Sequence, residues 1–367
     1  MGSTSEMCGT SANTRDLWAL AQKFASASVD STRKDVKSSI NNINSIQQGI
    51  ESSLIFVGCK ASGKTTIILR LADRDEAPAP TSALEYTFAR KTRGMTGAKD
   101  LIHIWEVAGG TRLSDLVKIP ITDATIHTIT PCVVLDLSRP EGIITTLDHF
   151  LALFNERVET LLHGLEKRGS KRPTALRKHA WKKYGGEHPD QSELKPSPIP
   201  LVVIGTKYDL FRDFEPETRK LVCKTLRYAA HINGASLIFT STKDESSMER
   251  CRQLLYHHGF KANAPKAHIV DHNKPLMVLG GADSLSQIGH PAKSSDKESI
   301  GRVKALDWNT WKAIYSQRLP QNEVQENDAL KDFVDLPKYR EAAIDNVYAQ
   351  KKAEFLQRQE RLLHAAR

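Results

Sequence analysis

Long apolar runs are missing from this 367-residue chain. No stretch of about 18 consecutive hydrophobic residues occurs, so nothing in it is expected to span a membrane as a helix. Cysteine is scarce: Cys8, Cys59, Cys132, Cys223 and Cys251 make five, an odd number, with no Cys-x-x-Cys spacing. That excludes the usual zinc and redox pairs and predicts free thiols in a reducing compartment, the cytoplasm. The first residues lack the basic, apolar, small-residue order of a secretory signal, which agrees with that expectation. Charge of one sign is not spread along the chain either, despite a formal net charge of +9. Much of the excess sits in one block, Lys167 to Lys183, and not in a stripe interleaved with aromatics. Nucleic acid is therefore not an expected partner. A docking surface for an acidic protein, or a solvated loop, accounts for such a block.

What is present begins at Leu54. Leu54 to Val57 read as a short buried strand, and Gly58-Cys-Lys-Ala-Ser-Gly-Lys-Thr that follows is a complete G-x-x-x-x-G-K-[ST] loop. Thr65 to Leu71 then open a helix with apolar periodicity. In this order of strand, loop and helix, backbone N–H groups and the positive helix end face a β-phosphate. The predicted nucleotide-binding residues here are Gly58, Lys60, Ser62, Gly63, Lys64, Thr65 and Thr66. Lys64 reaches the β/γ oxygens, and the Thr65 hydroxyl is placed for Mg²⁺.

Downstream, Leu84-Glu-Tyr-Thr-Phe and Leu101-Ile-His-Ile-Trp alternate like a hairpin. Cys132 to Leu137, Ile199 to Gly205 and Ala235 to Ser241 are further strand-like runs, separated by helical stretches at 141–167 and 216–232. The pattern predicts an α/β domain with a mostly parallel six-stranded sheet and helices on both faces. Its expected limits are 51–265, with an insertion at about 160–198. Residues 1–50 form an N-terminal extension with a helix over 15–50. Residues 266–335 are expected to be an extended segment that wraps a partner, and 336–367 a charged amphipathic helix marked by Tyr348, Phe355 and Leu362.

The base-reading element chooses the nucleotide. Thr206-Lys-Tyr-Asp209 resembles the [NT]-K-x-D element of Ras-like GTPases. The Asp209 carboxylate can accept from the N1–H and exocyclic amine of guanine, whereas adenine would leave it unpaired. The stem of Lys207 lies along the base, and Ser241 and Thr242 stand where that family sets backbone amides against the guanine carbonyl. GTP or GDP with Mg²⁺ is the implied cofactor. Thr81, with Thr87 as the competing residue, occupies the position that senses a γ-phosphate. Glu106-Val-Ala-Gly109-Gly110 stands where an active GTPase carries D-x-x-G followed by Gln. Gly110 cannot orient an attacking water, so hydrolysis is expected to be absent or very slow. A P-loop ATPase or nucleotide kinase would need a strand-end acid such as Asp136, and Asp209 argues against it.

Further segments carry a more specific resemblance, and the last few of them lie outside any generic GTPase. Trp105-Glu-Val-Ala-Gly-Gly-Thr, Lys118-Ile-Pro-Ile-Thr, Asp271-His-Asn-Lys-Pro-Leu, Asp283-Ser-Leu-Ser-Gln-Ile-Gly and Trp311-Lys-Ala-Ile-Tyr, together with the phosphate-binding loop, resemble the light intermediate chains of cytoplasmic dynein, in particular those of the dynein 2 type. The resemblance spans roughly 50–320. It implies a Ras-like P-loop domain that is not an enzyme. Such a domain docks on and stabilises the dynein 2 heavy chain, alongside other dynein 2 subunits and intraflagellar-transport particles. The nucleotide is then a structural cofactor, and the location is the cytoplasm, the cytoskeleton and the cilium, with its axoneme and basal body. The alternative is a free-standing regulatory GTPase switch, which needs hydrolysis or an activating partner.

Overall fold

In the computed structural model, which describes residues 49–93, 98–185, 188–290, 307–321 and 341–365, strand β1 (Glu51–Val57) is buried along all but its first residue. Side chains of a strand point alternately to its two faces, and here both faces are apolar. Ile55 and Val57 enter one hydrophobic layer with Val133, Leu135, Val203 and Leu237. Leu54 and Phe56 enter the opposite layer with Cys132, Val134, Ile204 and Ile238. Two-sided burial is the condition of a parallel strand, and it explains why these strands read as continuous apolar runs.

The remaining strands are β2 (Leu84–Arg93), β3 (Ala98–Val107), β4 (Ile129–Asp136), β5 (Val202–Thr206), β6 (Ser236–Phe239) and β7 (Met277–Val278). The sheet order is β2-β3-β1-β4-β5-β6-β7. Strands β3, β1, β4, β5 and β6 run parallel, and β7 is antiparallel to β6. The sequence predicts six strands and the sheet has seven. The extra one is two residues long, too short to show an alternating pattern, and it pairs with the otherwise open edge of β6.

Among the described residues the α-helices are α1 (Lys64–Leu71), α2 (Ile143–Lys167), α3 (Arg172–Lys182), α4 (Tyr208–Phe211), α5 (Pro216–Asn233), α6 (Glu245–Phe260), α7 (Leu285–Ile288), α8 (Trp308–Arg318) and α9 (Ala342–Ala365). Helix α2 buries Leu147, Phe150, Phe154, Val158, Leu161 and Leu165 at helical spacing. It shares its layer with Leu221, Val222 and Leu226 of α5. Helices α1 and α6 cover the other face through Ile67, Ile68, Leu71, Leu254 and Leu255.

Two stretches are more ordered than the sequence predicts. The basic block 167–183, expected as a docking surface or a solvated loop, contains α3. Pro173 stands at its N-terminal turn, where a missing N–H costs nothing, and Arg177 bridges Glu159 (2.9 Å) and Glu166 (2.5 Å) on α2. The described part of 266–335, expected to wrap a partner, lies on this chain's own domain. Arg227 of α5 donates to both oxygens of Asp283, at 2.8 and 2.7 Å. Trp311 of α8 stacks on Tyr228 at 4.6 Å, Trp308 Nε1 donates to Asp148 of α2 at 2.7 Å, and the fully buried Tyr315 donates to the Pro140 carbonyl at 2.8 Å.

The predicted C-terminal helix is present as α9, with Ile344, Val347, Tyr348 and Phe355 exposed. The predicted helix over 15–50 falls outside the described residues apart from Gly49 and Ile50. A second, small unit comprises 1–50 with Lys91–Asp100. Within it the Ile50 amide donates to the Asp100 carboxylate at 2.8 Å. Among the described residues, no helix is long and apolar enough to cross a membrane.

Candidate nucleotide site

After β1 the chain passes to β2 and β3 on one side, then crosses to β4 on the other. That reversal opens a crevice at the carboxyl ends of the strands, the usual ligand position in open α/β sheets. The loop from β1 to α1 lies there. Gly58 has φ 145, and a Cβ on it would stand 2.1 Å from the Val134 carbonyl oxygen. Gly63, at φ 87, caps α1 in the left-handed region, which only glycine enters without strain. Such a turn directs first-turn amides of α1, which have no partner inside the helix, to whatever lies over the loop.

A cavity of about 340 Å³ lies over it, and most of the predicted phosphate-side residues line it: Lys60, Ser62, Gly63, Lys64, Thr65, Thr66, Thr81, Glu106 and Gly109. Ala61, Pro78, Ala79, Pro80 and Ala108 complete the wall. The prolines give no chemical signal in the sequence and reach the site only through the course of the loop before β2. Lys64 is 5% exposed and donates across the loop to the carbonyls of Gly58 (3.1 Å) and Cys59 (2.9 Å). Ser62 Oγ is buried with no hydrogen-bond partner.

Glu106, at the end of β3, accepts from the Thr65 hydroxyl at 2.8 Å, and Thr81 Oγ1 lies 3.5 Å from the same hydroxyl. Loop, β2 entry and β3 end thus converge on one oxygen. Burial holds the Glu106 carboxyl above the usual range, against the opposing pull of Thr65, Lys64 and Thr81. Gly109 (φ 71) and Gly110 (φ 56) follow in left-handed conformations. A side chain at Gly110 would be strained as well as absent.

The base-reading residues form a second cluster beside the first. Thr206, at the end of β5, packs its side chain over Gly63 and donates to the carbonyls of Ser62 (2.7 Å) and Leu135 (3.1 Å). It locks β5, β4 and the phosphate loop together. Lys207 takes a left-handed backbone at φ 58, and its ammonium pairs with Asp136 at 2.5 Å. Asp136 also accepts from the Ser138 amide and hydroxyl, so it serves Lys207 and the turn after β4. Asp209 accepts from the Ser241 hydroxyl at 2.7 Å and pairs with Lys243 at 2.9 Å. Ser241 first, then Lys243, hold its carboxyl below the usual carboxylate range. Thr242 is exposed in the turn that follows. Asp136 and Lys243 as partners of Lys207 and Asp209 were not legible from sequence, because each pairing depends on how strands and turns are set side by side.

The residues fit a nucleotide on the phosphate side. The cradle combines glycine turns, helix-end amides, a buried lysine and an unpartnered buried hydroxyl. They also fit a divalent cation at Thr65, whose proton is committed to Glu106 and whose oxygen keeps a lone pair besides the one that faces Thr81.

Comparison with known proteins places this chain in a family. The family model for dynein light intermediate chains matches residues 36–199. Cytoplasmic dynein 2 light intermediate chain 1 of Bos taurus is 43% identical over 308 residues, covering 84% of this chain and 87% of the bovine protein. The Homo sapiens protein of the same name is 41% identical over 308 residues, again covering 84% and 87%. A crystal structure of the conserved domain of a dynein light intermediate chain superposes with a TM-score of 0.51 at 19% identity, covering 77% of this chain and 98% of that one; at that identity it speaks for the fold alone. On the relatives' identity and coverage, the chain belongs to the dynein light intermediate chain family, with those of the cytoplasmic dynein 2 type.

Proposed function

We propose that this chain is a non-catalytic accessory subunit of the cytoplasmic dynein 2 motor, binding and stabilising the dynein 2 heavy chain for retrograde intraflagellar transport and cilium assembly. The observation that carries the reading is the extent of likeness to the dynein 2 light intermediate chains. A match of 308 residues is longer than a nucleotide-binding domain of 51–265, so it reaches into the flanks, where a generic GTPase has nothing to align. Other dynein 2 subunits, intraflagellar-transport particles and a ciliary location belong to the same proposal.

In this reading a guanine nucleotide, GTP or GDP with Mg²⁺, is a structural cofactor. Its phosphates would supply negative charge between the loop, Lys64 and the helix-end amides. Thr65 would offer its oxygen to the cation and its proton to Glu106. Asp209, oriented by Ser241, would accept from guanine once Lys243 yields a lone pair. Hydrolysis is expected to be absent or very slow, because Gly109 and Gly110 bring no side chain to the place where an attacking water must be held. A ligand at about 1,000 times its Kd would add about 4 kcal/mol to the folded state.

The test is a tagged pull-down of the full chain from ciliated cells, with mass spectrometry of everything retained. Near-stoichiometric, salt-resistant recovery of a dynein heavy chain with intraflagellar-transport components is the expected result. Recovery of no dynein chain would overturn the subunit reading and leave the free-standing switch to be tested by single-turnover GTP hydrolysis.

A further inference from the structure

The basic block of the sequence has no role in the nucleotide site, and its C-terminal end leads to a different place. Lys182 and Lys183, with Ser197, His258 and Lys261, line a cavity of about 510 Å³, within the size range of small-molecule sites. Leu201 and Ser236, which precede or begin β5 and β6, form its floor. It therefore opens at the amino ends of the parallel strands, on the edge of the sheet opposite the phosphate loop.

We propose that this cavity is a second ligand site, for a compact anion carrying two or more phosphate groups. Among the described residues it is lined by three lysines and three histidines and by no carboxylate. The ordinary account of such lysines is that they cap helix C-termini. Lys183 does donate to the Gly234 carbonyl at the end of α5, at 2.5 Å, and Lys261 to the His258 carbonyl at the end of α6, at 3.1 Å. Helix α3 ends at the same cavity with Lys182. Three helix ends contribute about −0.5 charge each, roughly −1.5 together, against at most one positive charge from each of the three lysines. The surplus is positive, and no carboxylate among the described residues lines the cavity to offset it.

Two buried polar atoms add to this. Ser197, 3% exposed, and His258 each carry an atom, Oγ and Nε2, with no hydrogen-bond partner. Buried polar groups are otherwise paired, so the cavity wall carries two unsatisfied polar groups among the described residues. Burial pushes the Lys183 ammonium down to about 8, a strain that an adjacent anion would relieve. The donor set selects the ligand. No arginine lines the cavity among the described residues, so the planar, two-point recognition that suits carboxylates is missing. Lysine point charges with a serine hydroxyl and an imidazole suit tetrahedral phosphate oxygens. The wall also allows close approach: Gly234 is left-handed at φ 65, and a Cβ there would stand 2.5 Å from Lys183 Nζ.

The test is calorimetric titration of the full chain with inositol hexakisphosphate at physiological ionic strength. One ligand per chain is expected. Lys182→Ala/Lys261→Ala removes two exposed lysines that circular dichroism should show to be dispensable for folding, and should weaken binding about tenfold or more. Lys178→Ala, on α3 but outside the cavity lining, should leave affinity unchanged. No binding, equal weakening by Lys178→Ala, or no effect of the double variant would overturn the site. Loss of binding in Lys64→Ala would move it to the phosphate loop and overturn it equally. Co-sedimentation with vesicles containing phosphatidylinositol bisphosphate, repeated with the double variant, separates a membrane-borne headgroup from a soluble ligand. Either source supports the proposal.

Discussion

Removing one partner of the Arg227–Asp283 pair should destabilise the domain more than any other single polar change. Both residues are buried, at 6% and 4% exposure, and the guanidinium meets the carboxylate through two parallel hydrogen bonds of 2.8 and 2.7 Å. Arg227→Met preserves much of the apolar stem but leaves the Asp283 carboxylate buried, with the Ser284 amide at 2.9 Å as a remaining donor. Breaking a buried pair in this way costs about 3–5 kcal/mol. At about 2–4 °C per kcal/mol for a domain of this size, the melting point should fall by roughly 6–20 °C. The assay is urea unfolding followed by both tryptophan fluorescence and far-ultraviolet circular dichroism. Trp308 and Trp311 lie on Tyr228, one residue from Arg227, so early loss of fluorescence would report release of α7 and α8 ahead of the sheet. Arg227→Met/Asp283→Ala removes both charges and should recover part of the loss, with a coupling energy of about 0.5–3 kcal/mol. A single variant within about 1 kcal/mol of wild type, with no coupling in the cycle, would refute the claim that this pair ties 283–288 to the core.

Three further outcomes are expected. Gly58→Ala should lower stability by more than about 1 kcal/mol and abolish nucleotide binding in an equilibrium titration, since its Cβ would stand 2.1 Å from a carbonyl oxygen. Lys64→Ala and Asp209→Ala should each remove the rise in melting temperature that GDP with Mg²⁺ gives the wild type; unchanged melting in both, with no nucleotide released from denatured wild type, would mean a vestigial pocket. Acidification should destabilise the fold from about pH 6.5 downward. Burial holds His231 below 6.5 and pushes His258 down to about 3. The unfolded chain then binds more protons than the native one, and stability present above 6.5 is lost as pH falls towards the folded values. At pH 5.5 His258 should cost about 1.4 kcal/mol, with His231 adding in the same direction, and a flat melting curve between pH 7.5 and 5.5 would contradict this.

Much of the nucleotide site was legible because it is local. Gly58 to Thr66 are nine consecutive residues whose conformation and chemistry are set by their own order, and a two-sided apolar run before them identifies the strand. Thr206 to Asp209 is shorter still, and the sheet brings it to the loop because β5 and β1 both flank β4. The polar partners were not legible in the same way. Thr65 to Glu106, Lys207 to Asp136 and Arg227 to Asp283 join residues far apart in sequence, and nothing in the spacing of one names the other. The same holds for β7, whose two residues become a strand only beside the edge of β6. It holds too for the basic block, whose composition suits a solvated loop until Arg177 finds two glutamates on α2.

By itself, then, the sequence determined the α/β class, the order of strand, loop and helix at the phosphate site, and the family resemblance. Those depend on short-range periodicity and contiguous motifs. The tertiary structure alone decided which carboxylates are buried and paired, that α8 packs on this domain, and that three helix ends and their lysines enclose a second cavity. Burial and charge pairing are properties of neighbours in space, and the chain order does not specify them.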